Sequence, residues 1–186
     1  MISDEALMIE FQRGSREAFE ELFARYREPL YGFFRRRLAS KDRAEDLMQE
    51  TFLAVIRAAV RYEPRAQVKT YLYGIALKLL AAERRKISGN EPQIDEHYDP
   101  AEDGPSEEAL WVRQALEKLD SGQREILMLR EYEQLNYVEI GELLRLPVNT
   151  VRSRLFRSRM ALKGFLEPKR KTQSRARGGA GGEAQS

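Results

Sequence analysis

Cysteine is absent from the 186 residues, which excludes disulfide frameworks, thiolate-held zinc and thiol nucleophiles together. Histidine occurs once, at His97, too little for a histidine-based metal site. Long apolar runs are missing as well. No stretch approaches the roughly 18 consecutive apolar residues of a membrane-spanning helix, so no membrane insertion is expected. The N-terminus, Met1-Ile2-Ser3-Asp4-Glu5, is acidic with no apolar stretch behind a basic start, which argues against a secretory leader. These absences fit a reducing compartment, and a cytoplasmic location is expected. Also lacking are a phosphate-cradling glycine loop, a Ser/His/Asp set and a pair of acids with a reason for shifted pKa values. We therefore expect no catalytic residues, no metal, no cofactor and no enzyme activity. Period-two alternation of useful length is missing too, which leaves an all-α chain.

What is present is charge, on 33% of the residues, nearly balanced at a formal +2, beside 42% hydrophobic residues that suffice for one medium domain or two small ones. The balance is a cancellation. Between Ile87 and Glu108 there is no Lys or Arg, and eight acids (Glu91, Asp95, Glu96, Asp99, Glu102, Asp103, Glu107 and Glu108) give the stretch a formal −8. Against the total of +2, the rest of the chain carries +10. Gly89, Pro92, Pro100, Gly104 and Pro105 break regular structure in the same stretch. The pattern predicts two small basic helical domains joined by an acidic flexible linker, whose sign is either functional or incidental to a solvated tether.

Apolar residues recur at helical spacing before that linker. Leu7, Ile9 and Phe11 mark a short helix, and Phe19, Leu22, Phe23, Tyr26, Leu30, Phe33, Phe34 and Leu38 a longer one beginning near Ser15, which Pro29 should kink or interrupt. A third helix opens after the N-cap Ser40 and runs to about Tyr62; a fourth, after a loop with Pro64, spans roughly Val68 to Lys86. Beyond the linker, helices are expected over Glu107–Leu119, from Ser121 to about Glu131 behind the cap Asp120, from a capping box at Asn136–Glu139 through Leu144, and from Val148 to about Leu166. The domain bounds that follow are 1–88, a linker at 89–106, 107–166, and a Gly-, Arg- and Ser-rich tail at 167–186 expected to be disordered and basic.

The segment 137–163 carries the most information. Two helices with the turn Arg145-Leu146-Pro147 between them, and Ile140, Leu144, Leu146, Val151 and Leu155 placed to pack together, match a helix-turn-helix. Gly141 in a helix interior costs about 1 kcal/mol against Ala, which close helix approach would explain. Val151, Leu155, Ser158 and Leu162 form the inner stripe of the last helix. Asn149, Thr150, Arg152, Ser153, Arg154, Phe156, Arg157 and Arg159 lie outside it. Arginine can reach guanine O6/N7 or phosphate in a major groove, and phenylalanine a thymine methyl. The alternative is an ordinary basic helix with Phe156 covered by a neighbour.

Leu119-Asp120, Gln123 to Arg130, Tyr137 to Leu144 and Pro147 to Arg159 closely resemble region 4 of the extracytoplasmic-function (ECF) group of sigma-70-type RNA polymerase sigma factors. Ala44-Glu45-Asp46-Leu47-Met48-Gln49-Glu50-Thr51-Phe52 and Thr70-Tyr71-Leu72-Tyr73-Gly74-Ile75-Ala76 resemble region 2. Together they cover nearly everything from about residue 5 to 166. The resemblance implies two all-α domains, a region 2 bundle and a region 4 helix-turn-helix. It implies a subunit that binds core RNA polymerase and directs promoter-specific initiation.

Carried over position by position, Arg152, Ser153, Phe156 and Arg157 would contact the −35 element, with Arg154 and Arg159 on phosphates. Asp46, Gln49, Glu50 and Leu53, on the outside of the third helix, would dock on the β′ clamp helices of the polymerase, and region 4 on the β flap. On periodicity alone that outer face is equally a solvated surface with one stray Leu. Melting and reading of the −10 element would fall to Tyr62, Arg65, Lys69, Tyr71, Tyr73, Lys78, Arg84 and Arg85, since an unstacked base needs an aromatic platform and cations for its backbone. Tyr71 and Tyr73 are equally readable as core aromatics. The family usually has Trp, Asn and Asp where this chain has Tyr71, Lys78 and Ala82; Lys is donor-only where Asn offers a donor and an acceptor. Arg145 stands where Gly is frequent in the turn. Many relatives are held inactive by an anti-sigma protein, which the resemblance adds to the expected partners beside promoter DNA.

The main rival is a stand-alone helix-turn-helix regulator with a helical dimerisation domain. It predicts a dimer on a palindromic site, whereas the resemblance predicts a complex with core polymerase on an asymmetric two-element promoter.

Overall fold

The structure, a computed structural model, describes residues 2–63, 67–89 and 106–167. Among them are eight α-helices and no strand: α1 (Asp4–Gln12), α2 (Arg16–Arg35), α3 (Lys41–Ala58), α4 (Val68–Gly89), α5 (Glu107–Glu117), α6 (Ser121–Glu131), α7 (Tyr137–Leu144) and α8 (Val148–Leu166). The all-α expectation holds. The acidic linker, the basic tail and Arg65 lie outside the described residues.

Most helix starts are written in the sequence. Ser3, Ser15, Ser40, Ser106 and Asp120 each precede a helix, and each side-chain oxygen accepts the backbone N–H three residues on, at 2.8–3.2 Å. Each such cap satisfies a donor the helix leaves open and is worth about 1 kcal/mol. The start of α4 is different, because the Val68 N–H donates to the Glu5 carboxylate of α1 at 3.2 Å. Its cap thus comes from an element 63 residues earlier.

Pro29 does not interrupt α2, which runs unbroken from Arg16 to Arg35. Leu22, Tyr26, Leu30, Phe33 and Phe34 lie buried on one face, and their burial on both sides of Pro29 outweighs the missing hydrogen bond. The third helix ends earlier than expected, at Ala58, and a 3₁₀ turn over Ala59–Arg61 leads out of it. Gln12 fixes that exit by donating to the Ala59 and Tyr62 carbonyls at 2.6 and 2.8 Å.

α1 to α4 form one bundle: α1 and α3 pack on α2, and α4 closes over α1, α2 and α3. Its core holds Met8, Leu30, Phe33, Phe34, Leu47, Phe52, Leu72 and Leu80. α5 to α8 form the second domain, with α8 packed against α5, α6 and α7 around Ile126, Leu129, Ile140, Val151 and Leu155. The two domains touch. α4 meets α7, and the C-terminal end of α2 meets α6 and the turn after it.

Candidate nucleic-acid interface

The last two helices are set by local chemistry. Asn136 and Glu139 form the expected capping box: Asn136 Oδ1 accepts from the Val138 and Glu139 N–H groups at 2.9 Å, and Glu139 accepts from the Asn136 N–H at 2.6 Å. α7 ends on Arg145, left-handed at φ 55° and ψ 47°. The Leu146 N–H then returns to the Gly141 carbonyl at 2.8 Å. A Cβ at Gly141 would stand 2.8 Å from the Leu146 oxygen, closer than real Cβ atoms come. The expected close approach is therefore one between Gly141 and the turn.

With Val151, Leu155 and Ser158 turned inward, the outer face of α8 is solvent-exposed. Phe156 is 64% exposed, and Asn149, Arg152, Ser153 and Arg157 line a shallow concavity with it. Arg152, Arg154 and Arg157 have no carboxylate partner among the described residues. Arg159 differs: it is paired with Glu131 of α6 at 2.7 Å. Thr150 is half-buried, and its carbonyl accepts from the Ser153 hydroxyl at 3.0 Å. Sequence reasoning missed Met160, which is exposed one turn beyond Phe156. Its i, i+4 spacing to Phe156 was the available signal.

The aromatic and basic groups around α4 divide. Lys78, Arg84 and Arg85 are exposed, and Tyr71 is half-buried with its ring 5.3 Å from that of Tyr62. Tyr62 is itself buried. Tyr73 is 2% exposed, its ring 5.6 Å from Phe33 and its hydroxyl near the Glu133 carboxylate. Burial first, and then the Glu133 charge, raise the pKa of its phenol well above the ordinary value. The expectation that Tyr62 and Tyr73 offer faces to a base is thus corrected for this arrangement, because both rings are enclosed by protein. Lys69 is half-buried and donates to the Gln134 carbonyl at 3.1 Å.

On α3, Ala44, Met48, Thr51, Phe52 and Val55 face inward, which leaves Asp46, Gln49 and Leu53 exposed. Glu50 is half-buried and paired with Arg43 at 3.1 Å. Leu53 is not a stray apolar residue. Ile56 and Val60 continue it at spacings of three and four, both exposed, Val60 at 87%. Sequence reasoning missed both, although the spacing was legible. Leu110, Trp111 and Val112 form a further exposed apolar group, on α5.

Comparison with known proteins agrees with this geometry. The family described as Sigma-70 region 2 matches residues 22–88, and Sigma-70, region 4 matches residues 109–162. RNA polymerase sigma-H factor of Pseudomonas aeruginosa is 31% identical over 182 residues, covering 89% of this chain and 94% of its own length. ECF RNA polymerase sigma-E factor of Salmonella typhimurium is 31% identical over 184 residues, covering 90% of this chain and 96% of its own. Among solved structures, the sigma factor RpoE in complex with the anti-sigma factor NepR from Bartonella quintana shares the fold. Its TM-score is 0.66 at 23% identity, over 82% of this chain and 98% of that one. No described helix is long and apolar enough to cross a membrane. With two sigma-70 regions in order and a relative of that identity along nearly its whole length, the chain belongs to the ECF group of RNA polymerase sigma factors.

Proposed function

We propose that this chain binds core RNA polymerase in the cytoplasm and carries it to promoters with separate −35 and −10 elements, performing no covalent chemistry itself. Exposed Phe156 among Arg152, Arg157, Ser153 and Asn149, on the second helix of a helix-turn-helix, is the observation that carries this reading. A solvent-facing phenylalanine is costly in water and has a use against thymine methyls. Arg154 supports it as a phosphate contact, and Arg159 joins it by leaving Glu131. Thr150 positions Ser153 through their hydrogen bond.

Around the −10 element we assign the platform to Tyr71 and the backbone contacts to Lys78, Arg84 and Arg85, with Arg65 and Lys69 beside them. Polymerase docking falls to Asp46, Gln49, Glu50 and Leu53 on the β′ clamp helices, widened by Ile56 and Val60, and to region 4 on the β flap. An anti-sigma factor as regulator is supported by a solved relative bound to one. The bounds 1–88, 89–106, 107–166 and 167–186 serve this division of labour.

Reconstitution with core polymerase on a genomic promoter library tests the proposal. Expected is specific initiation from promoters sharing a −35 and a −10 motif. Duplex binding as a dimer on palindromic sites, with no gain in initiation, would overturn it.

A further inference from the structure

The helix α1 lies ahead of the stretch that matches Sigma-70 region 2, which begins at residue 22, and the activity proposed above gives it no part. It nevertheless bears directly on the chain around the −10 platform. Gln12 donates both Nε2 hydrogens, to the Ala59 carbonyl at 2.6 Å and to the Tyr62 carbonyl at 2.8 Å, where the chain leaves the 3₁₀ turn. Glu5 accepts the Val68 N–H at 3.2 Å, where α4 begins without an acid of its own in the first turn. A carboxylate there also meets the positive end of the α4 dipole. Two side chains of one helix therefore hold the end of one element and the start of the next.

The spacing makes this a rigid fixture. Glu5 and Gln12 are close to two helical turns apart, so they share a face of α1 at about 10 Å along its axis. α1 is itself locked in place. Leu7 and Met8 are buried, the Phe11 ring lies 4.8 Å from that of Phe19, and Asp4 takes Arg25 at 2.7 Å together with the Tyr26 hydroxyl. Tyr62 and Tyr71 sit at the two held points. Gln12 fixes the Tyr62 carbonyl, and Tyr71 stands in the first turn of α4 with its N–H on the Gln67 carbonyl at 3.0 Å. Their rings meet at 5.3 Å, Tyr62 buried and Tyr71 half-buried. Glu5 is near enough for its charge to add to burial in raising the pKa of the Tyr62 phenol.

We propose that Glu5 and Gln12 are positioning residues for promoter opening: from α1 they set the backbone on which Tyr62 and Tyr71 stand, so that the Tyr71 face meets an unstacked base of the −10 element. The inference rests on the two-element promoter reading above. A platform fixed before the base arrives gains the full benefit of stacking, because ordering it on contact costs side-chain and backbone entropy. Neither residue serves as a DNA contact. Gln12 has both donors engaged, and a carboxylate repels phosphate.

The test is promoter opening with core polymerase, read from the fluorescence rise of 2-aminopurine placed in the −10 element. Gln12→Met and Glu5→Met keep an unbranched side chain and remove the hydrogen bonds; each is expected to slow opening roughly fivefold, the scale of a lost hydrogen bond. Glu5→Gln keeps an acceptor for the Val68 N–H and should return the rate to within about twofold of the parent. Ser15→Ala removes the cap of α2 in the same bundle and touches neither tyrosine. It should lower the urea midpoint and leave opening at the parent rate, while affinity for core polymerase stays the same throughout. Opening at the parent rate in Q12M and E5M, or an equal slowing in S15A, would overturn the proposal. If the parent chain opens no promoter, the polymerase reading fails instead, and amide exchange decides the role of α1 by itself. Faster exchange at Tyr62, Val68 and Tyr71 in the methionine variants upholds it, and unchanged exchange overturns it.

Discussion

Arg145 and Gly141 bracket one turn with opposite backbone demands. Arg145 sits at φ 55°, where a side chain with a Cβ is strained by about 1 kcal/mol and glycine is not. Arg145→Gly is expected to raise stability by up to about 1 kcal/mol, read as a higher urea midpoint with an unchanged slope. Gly141→Ala should do the reverse. Alanine is the better helix former, yet its Cβ would meet the Leu146 carbonyl oxygen at 2.8 Å. A loss of about 1–3 kcal/mol is expected, as for overpacking elsewhere. A stabilised G141A chain would show that the turn can move away, and would refute the close-approach reading of this glycine.

At the scale of the element, α8 separates two kinds of arginine. Arg152 lies in the concavity with Phe156, so Arg152→Ala should cost about 1–3 kcal/mol against the preferred −35 sequence and relax the preference at one base pair. Arg154→Ala should weaken all sequences alike and reduce the salt slope by about one. Binding across a mutated −35 series at several salt concentrations distinguishes them. α3 and α4 are tied by Arg43, which grips Glu83 at 2.7 and 2.8 Å. The hydrogen bonds from Arg43 hold the Glu83 carboxyl below the usual glutamate pKa. A lowered folded pKa means that this stabilisation is full above the unfolded value and is lost as the pH falls through the folded one. Glu83→Gln should therefore cost about 2 kcal/mol at neutral pH, and its deficit against the parent should close as the pH drops below the usual glutamate range, in urea unfolding across pH.

For the whole molecule, charge is arranged by segment. Eight acids of the stretch 87–108 stand against a net +10 elsewhere. A segment of this charge would be attracted to any positively charged channel of a polymerase built to hold nucleic acid. Replacing the eight by Asn and Gln is expected to weaken initiation or change the length of early released RNA in reconstituted transcription. Unchanged products would make the segment a tether. A second charge effect at this scale lies where the domains touch, because Arg36 and Arg37 at the end of α2 spend their charge on Glu125 and Glu133 of region 4.

Helix starts, the capping box and the exposed face of α8 were legible in the sequence because their causes are local. A cap acts over three residues, and a 3.6-residue period sorts inside from outside within one helix. The continuity of α2 through Pro29 and the capping of α4 by Glu5 were not legible, and the burial of Tyr73 was legible only as one of two readings. Each depends on groups tens of residues away, and the Arg36 and Arg37 pairs span 88–97 positions. The sequence alone determined which residues read DNA-like on their own helices. Only the tertiary structure decided which of them are free, because burial and pairing are set by whichever element arrives opposite, and no local pattern encodes that.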